Sequence, residues 1–556
     1  MKNIVLLFTS FAFTISTVFG IDSVKIEQLD GLCRVWGYLK YYHPQIQRGK
    51  IDWDSTLIET ISKVIEADNN VEYNKIINRL ILSTGKINKL GKPYQYLPKD
   101  TSYNNFDYAW ISNENLFTND NSKLLFEVIE NYKPRKNIYI KNEINKYYFQ
   151  EGGEKKFKEY YYENDYNPDT AHALLAYFRY WNVINYFFAY KKIADKNWND
   201  VLQEFTPKIL ESANSSAFYF TMVELTTKTN DCHAFFNNYN YDSLAGKYYL
   251  PIGFQFIENK TVITSIPDTL SLITGMKRGD IVIKINDVDT EEKRKELKNY
   301  CGCATSASVE REINYSLRQS RTKNFSITYS DSTGEIKTGS FQKCEYWRSY
   351  KPPPATRILD DSIGYINLSS MEKMREVGRA MEQFKNLNAI IFDLRNNSGT
   401  ILTPVAMRLP NRKGVAFSNY YEGKFRYPAT YKFTKVKDWY LGIRAIHKKY
   451  NGKVIFLINE NVQSTYEWQL MSLLADFKII LIGSNTAGTD GSATSFLVQK
   501  NFLTYFTSDA VFFSDGRPTQ RIGIKPDIYI TPTIEGVRAT RDDVLQRAIV
   551  FINTGK

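Results

Sequence analysis

Histidine and cysteine are scarce: four histidines and five cysteines stand in 556 residues. That scarcity excludes several kinds of site. Cys301-Gly302-Cys303 is too tightly spaced for a zinc knuckle, and no second Cys/His pair stands at ligand spacing, so no metal site is legible. The cysteines at 33, 232, 301, 303 and 344 cannot all pair within one chain, and burial or an occasional disulfide is expected of them. Long apolar runs are missing beyond the first twenty residues, which argues against stable membrane insertion. Basic clusters are missing too. The net charge is +12, yet there is no run of five Lys or Arg residues and no nucleic-acid motif. The charge therefore reads as a solvated surface, and nucleic acid is not an expected partner. The glycine-rich "SNTAGTDGS" lacks the Lys-Ser/Thr ending of a phosphate loop, and no organic cofactor is implied.

What is present begins with "MKNIVLLFTSFAFTISTVFG". Lys2 precedes an apolar stretch, and Val18 and Gly20 are small residues placed for cleavage. Residues 1–20 read as a secretory signal, and an exported protein, periplasmic or extracellular, is expected. Hydrophobic residues at 43% and charged residues at 24% are a globular mixture, and a chain this long should divide into two to four domains.

A weak internal repeat follows. Arg34/Arg179, Trp36/Trp181, Tyr41/Tyr186, Trp53/Trp198 and Leu57/Leu202 match at a constant offset of 145. Apolar spacing at three and four residues predicts paired amphipathic helices in each copy. Residues 21–168 are thus a helical region ending in a polar, Tyr-rich connector, and 169–245 form the second repeat. From 246 to 335 the pattern is short strands, with a turn at Asn259. "LPIGF" and "KRGDIVIKIND" resemble the carboxylate-binding loop and a strand of a PDZ domain, which adds a peptide as an extra strand and holds its C-terminus. From 345 to 556 strands and helices alternate as in a mainly parallel sheet with function at the strand C-terminal ends. Thr540 and Asp543 are spaced as a capping box for the last helix.

"NENVQSTYEWQLMSLL" places Ser464 at a strand-to-helix turn. There its hydroxyl can be exposed beside the Thr465 amide, a pairing that suits acyl transfer and that also suits a plain helix cap. In order, the helical region, the PDZ-like module, "IIFDLRNNSGT", "NVQSTYE", "IGSNTAGTDG" and "TQRIGIKPDI" resemble the tail-specific (C-terminal-processing) serine protease family over roughly residues 170–556. The resemblance implies a multidomain α+β chain: an N-terminal helical region, a PDZ-like β domain and an α/β, crotonase-like protease core. Ser464 stands at the nucleophile position, and Thr465 and Gly399 at the oxyanion hole.

The lysine used as base by the better-known branch falls here on Thr489. The tricorn-like branch instead takes a histidine from ahead of the PDZ-like module, and "NDCHAFF" puts His233 at that position. An imidazole with a pKa near ~6.5 can take the serine proton at neutral pH. Cys232 stands where tricorn has a serine that orients the histidine, and Gln520 where it has a glutamate. His43, His172 and His447 read as structural. The expectation is an exported serine endopeptidase that acts on polypeptides, recognised through their C-termini. A non-catalytic peptide-binding protein on the same fold is the alternative, and an esterase or amidase a further one.

Overall fold

The computed structural model describes residues 22–90, 103–140, 157–159, 167–237, 246–342, 354–371, 373–396, 402–410, 413–437, 449–499 and 502–556. The signal-like segment 1–20, Gly399 and His447 lie outside them.

Helices α1 (Ser23–Tyr42) and α2 (Trp53–Glu66) form one copy of the repeat, and α3 (Thr170–Phe187) and α4 (Trp198–Ser212) the other. Each begins at an Asp or Asn whose side chain accepts an orphan amide of the first turn: Asp22, Asp52, Asp169 and Asn197. The Trp36 indole donates to Trp53 O and the Trp53 indole to Trp36 O, both at 3.0 Å. Trp181 and Trp198 repeat the exchange at 2.9 and 3.0 Å. The copies also clasp each other. Arg34 donates to Asn199 Oδ1 at 2.9 Å, and its equivalent Arg179 donates to Asp54, the equivalent of Asn199. The repeat is a pseudo-two-fold pair of helical hairpins. Helix α5 (Ala217–Thr227) follows, and a two-residue strand β1 (Phe236–Asn237) leaves the helical layer.

Strands β2 (Gly253–Ile257), β3 (Lys260–Ser265), β4 (Ile281–Ile285), β5 (Asn324–Ser330) and β6 (Ile336–Gln342) form an antiparallel sheet in that order. Glu258 and Asn259, at φ 50° and 59°, make the tight β2–β3 turn. Because β6 pairs along its whole length with β5, the module runs to Gln342, past the boundary drawn at 335. Helix α6 (Ser306–Ser316) packs beside the edge strand β2 and is capped by Thr305, which accepts the Ser308 amide.

The C-terminal part contains β7 (Thr356–Leu359), β8 (Ile363–Asn367), β9 (Ala389–Asp393), β10 (Lys453–Ile458), helix α7 (Thr465–Asp476), β11 (Ile480–Gly483), the hairpin β12 (Ala493–Gln499)–β13 (Phe502–Thr507), β14 (Ile528–Tyr529) and helix α8 (Asp543–Thr554). Its main sheet runs β7-β8-β9-β10-β11-β14, parallel throughout except at β7. Central strands β9 and β10 are almost wholly apolar, as a sheet covered on both faces requires.

The helices do not form a separate core. Phe496, Phe502 and Phe506 of the β12–β13 hairpin are buried in the same cluster as Trp36, Trp181 and Phe205. Beneath it lies a buried quartet of Lys40, Asp54, Glu159 and Arg179, with Arg179 also donating to Val498 O on β12 at 2.9 Å. One sequence expectation is corrected at the C-terminus. The cap of α8 is Asp542, which accepts the Leu545 amide at 3.0 Å. Thr540 instead turns the chain at φ 54°, and Asp543 is drawn to Thr533, accepting its amide and hydroxyl at 2.9 and 2.6 Å. Among the described residues no helix is long and apolar enough to cross a membrane.

Candidate active site

The parallel sheet delivers β10 into a sharp turn before α7, and Ser464 occupies that turn with φ 57° and ψ −120°. A non-glycine residue is strained there, and such strain persists only where surrounding contacts impose it. Those contacts are visible. The Ser464 amide donates to Thr489 O at 2.8 Å and lies 3.2 Å from Glu467 Oε2. The Thr465 amide, first of α7, has no hydrogen-bond partner among the described residues. It is a helix N-terminal N–H next to a serine in a strand-to-helix turn, the local arrangement of an oxyanion donor beside a nucleophile.

Glu467 organises this corner. Its fully buried carboxylate accepts the Thr486 hydroxyl and the amides of Gly488 and Thr489, at 2.8 and 3.0 Å, besides that of Ser464. Burial pushes this carboxyl up to about 7, against the hydrogen bonds that favour its ionised form. Thr489, at the place of the other branch's lysine, is fully buried, and its hydroxyl accepts the Cys232 amide at 3.3 Å. A single residue thus bonds the Ser464 turn on one side and the histidine segment on the other.

His233 lies in the turn that leads into β1, which pairs antiparallel with β13. Its ring Nδ1 is 2.8 Å from Thr507 Oγ1, and its amide donates to Asp231 Oδ1 at 3.1 Å. The buried Asp231 carboxylate also accepts the Thr507 amide at 2.9 Å and sits 3.8 Å from His233 Nδ1. In the tautomer whose Nδ1–H donates to Thr507, Nε2 is free to accept a proton. The side chain is 12% exposed. Burial holds its pKa below the usual histidine range, opposed by the Asp231 charge and aided by Arg311, which favours the neutral ring.

Two secondary expectations change. Cys232 is disulfide-bonded to Cys303, so its sulfur has no thiol proton with which to orient the imidazole; Thr507 is the ring's partner. Gln520 is fully buried and donates to Asn230 O at 3.2 Å, bracing the loop before His233 without a hydrogen bond to the ring. The segment that contains Gly399 is flanked by anchored ends: Asn461 donates to Arg395 O at 2.8 Å, and the Leu402 amide donates to Gln469 Oε1 on α7. His43 is a buried structural residue bonded to Thr84, and His172 pairs with Asp169.

Asp231, Thr507 and the carboxylate hub of Glu467 were not singled out from sequence. Asp231 stands two residues before His233, and Glu467 at the third helical position after the turn; those were the available signals. A cavity of about 680 Å³ opens beside the site, lined in part by Cys232, Ala234, Phe235, Asn396 and Gln463. Among the described residues no group of three His, Cys, Asp or Glu side chains could hold a metal ion.

A serine at a strained strand-to-helix turn of a parallel sheet is an arrangement that serine-type peptidases use. Residues 362–530 match the model of Peptidase family S41. No curated protein matches the chain. Among solved structures, mature CPAF complexed with lactacystin superposes with a TM-score of 0.55 at 12% identity, covering 69% of this chain and 99% of that one. A putative peptidase from Parabacteroides merdae gives 0.43 at 15% identity, covering 70% and 98%. The photosystem II D1 C-terminal processing protease gives 0.39 at 13% identity, covering 67% and 98%.

Proposed function

We propose that this protein is an exported serine endopeptidase in which Ser464 is the nucleophile and His233 its base. The observation that carries the reading is the strained φ of Ser464, held by Thr489, which also bonds the segment bearing His233. His233 Nε2 takes the Ser464 proton as Oγ attacks the peptide carbonyl. The amides of Thr465 and Gly399 receive the oxyanion, and the imidazolium returns its proton to the leaving amine. Water then enters by the reverse path and releases the acyl-enzyme. Thr507 fixes the ring tautomer, and the Asp231 charge stabilises the imidazolium through space.

The module 246–342 serves as a PDZ-like receptor for polypeptide C-termini. Its support is the edge strand β2 with α6 alongside, a groove in which a peptide adds as a further strand. Export is supported by the leader-like first twenty residues and by the Cys232–Cys303 disulfide, since such bonds persist in oxidising compartments.

Fluorophosphonate labelling of the purified protein tests the reading. Labelling of wild type that is lost in Ser464→Ala and His233→Ala supports it. Folded wild type that is not labelled at neutral pH favours a non-catalytic peptide-binding protein, for which the Thr489 and Gln520 departures are the sequence argument.

A further inference from the structure

The nine residues from Cys303 to Arg311, at the start of α6, touch both halves of the site. Cys303 is covalently joined to Cys232, the residue before His233. Thr305 and Ser308 hydroxyls donate to Ala487 O at 3.3 and 3.4 Å, two residues before Thr489. Arg311 donates to Glu460 O at 2.7 Å and to Gln463 Oε1 at 2.8 Å, beside Ser464. The nucleophile turn and the base segment therefore hang on one short stretch of the β module, the first by hydrogen bonds and the second by a covalent bond. The other ties of the base segment are not covalent: the Cys232 amide donates to Thr489, Thr507 bonds Asp231 and the His233 ring, Gln520 donates to Asn230 O, the Thr504 hydroxyl donates to Phe235 O, and a two-residue strand pairs with β13.

The disulfide is also placed to react. Cys232 lines the cavity beside the site. On the other side, the Arg311 guanidinium stands 3.7 Å from Cys303 Sγ, where it favours a departing thiolate.

We propose that the Cys232–Cys303 disulfide is a positioning device for the base, and that a dithiol reductant switches the enzyme down reversibly by opening it. The inference rests on the Ser464–His233 reading. A thiolate of the dithiol attacks Cys232 Sγ, and Cys303 leaves as a thiolate and takes a proton. The second thiol then closes on the first, releasing Cys232 as a thiol. The dithiol is oxidised to its cyclic disulfide, and the protein gains two electrons and two protons. His233 is then held only by hydrogen bonds, and misplacement by about 1 Å is enough to cost on the order of a hundredfold in rate.

The test is the rate of fluorophosphonate labelling of full-length protein in three states: oxidised, treated with dithiothreitol, and as Cys232→Ser/Cys303→Ser. Thermal unfolding midpoints and the pH profile of labelling are measured on the same samples. The expected result is labelling about ten- to a hundredfold slower in reduced wild type and in the folded variant. The acid limb of the profile is flattened, reoxidation restores wild type, and dithiothreitol has no effect on the variant. Labelling of the variant at the wild-type rate with an unchanged pH profile, while its midpoint falls, overturns the proposal and leaves the disulfide a staple. Oxidised wild type that is not labelled at all overturns the Ser464–His233 assignment and this proposal with it.

Discussion

The backbone carbonyl of Thr489 accepts the amide of Ser464 at 2.8 Å, while the Thr489 hydroxyl accepts the amide of Cys232 at 3.3 Å. Thr489 is therefore a buried connector between the Ser464 turn and the segment that bears His233. Thr489→Val keeps the shape and leaves the Cys232 amide without its acceptor. It should cost about 1–3 kcal/mol of stability and slow labelling of Ser464. Thr489→Lys introduced into His233→Ala should leave labelling at background, because an ammonium at a fully buried site is desolvated and displaces the Cys232 contact. Recovery of labelling in that double variant would show that the lysine mechanism still fits this site.

Glu467 carries a second prediction. Its carboxylate faces four donors, so Glu467→Gln turns an NH2 group toward some of them and should disturb the Ser464 turn. The consequence for stability depends on pH. The folded pKa is raised to about 7 from an ordinary 4.5, so the folded state binds the proton more tightly than the unfolded one. The stability this group contributes is fully present below about pH 4.5 and is lost as pH rises through 7. The difference in unfolding free energy between wild type and Glu467→Gln should therefore shift against wild type by about 3 kcal/mol across that window. Denaturant titrations at pH 5 and pH 8 check it, and a difference independent of pH would refute the raised carboxyl. His43, pushed down to about 4 by burial, contributes with the opposite sign below pH 6.5 in both proteins and cancels in the difference.

The third prediction concerns the base. Because burial holds His233 below the usual histidine range, the acid limb of Ser464 labelling should have its midpoint below 6.5. Asp231 raises the His233 pKa, so Asp231→Asn should move that midpoint lower still. Thr507→Val removes the hydrogen bond at Nδ1 and should slow labelling about tenfold or more, with Thr507→Ser restoring most of the rate. A midpoint that does not respond to Asp231→Asn would mean that another group sets the limb.

Much of this arrangement was legible because short-range patterning carries it. The apolar runs at 389–393 and 453–458 are buried parallel strands, and Ser464 stands at the turn its neighbours implied. The repeat was legible from an offset that the structure explains through paired Trp carbonyl–indole exchanges. What was not legible depends on contacts between distant residues. The Cys232–Cys303 pair is 71 residues apart with three other cysteines in the sequence, and Thr507 meets His233 only because β1 pairs with β13. Glu159 sits in a polar, Tyr-rich stretch that reads as a connector, yet its carboxylate is buried beside Lys40 and Arg179.

That quartet supplies the last prediction. Lys40 and Arg179 face Asp54 and Glu159 with all four side chains at most 1% exposed, so the charges balance inside the helical layer. The pairing holds Asp54 below the ordinary carboxylate range despite its burial. Arg179→Met leaves two buried carboxylates sharing one lysine, and breaking a buried network from one side costs about 3–5 kcal/mol. It also removes the bond to Val498 O that ties the helices to the β12–β13 hairpin. Urea unfolding should show a lower midpoint with an unchanged slope, and labelling of the folded protein at low temperature should stay within about twofold of wild type, since Arg179 touches none of the site residues. A loss of labelling in fully folded Arg179→Met would instead make the helical layer part of the machinery that aligns β13, and with it Thr507 and His233.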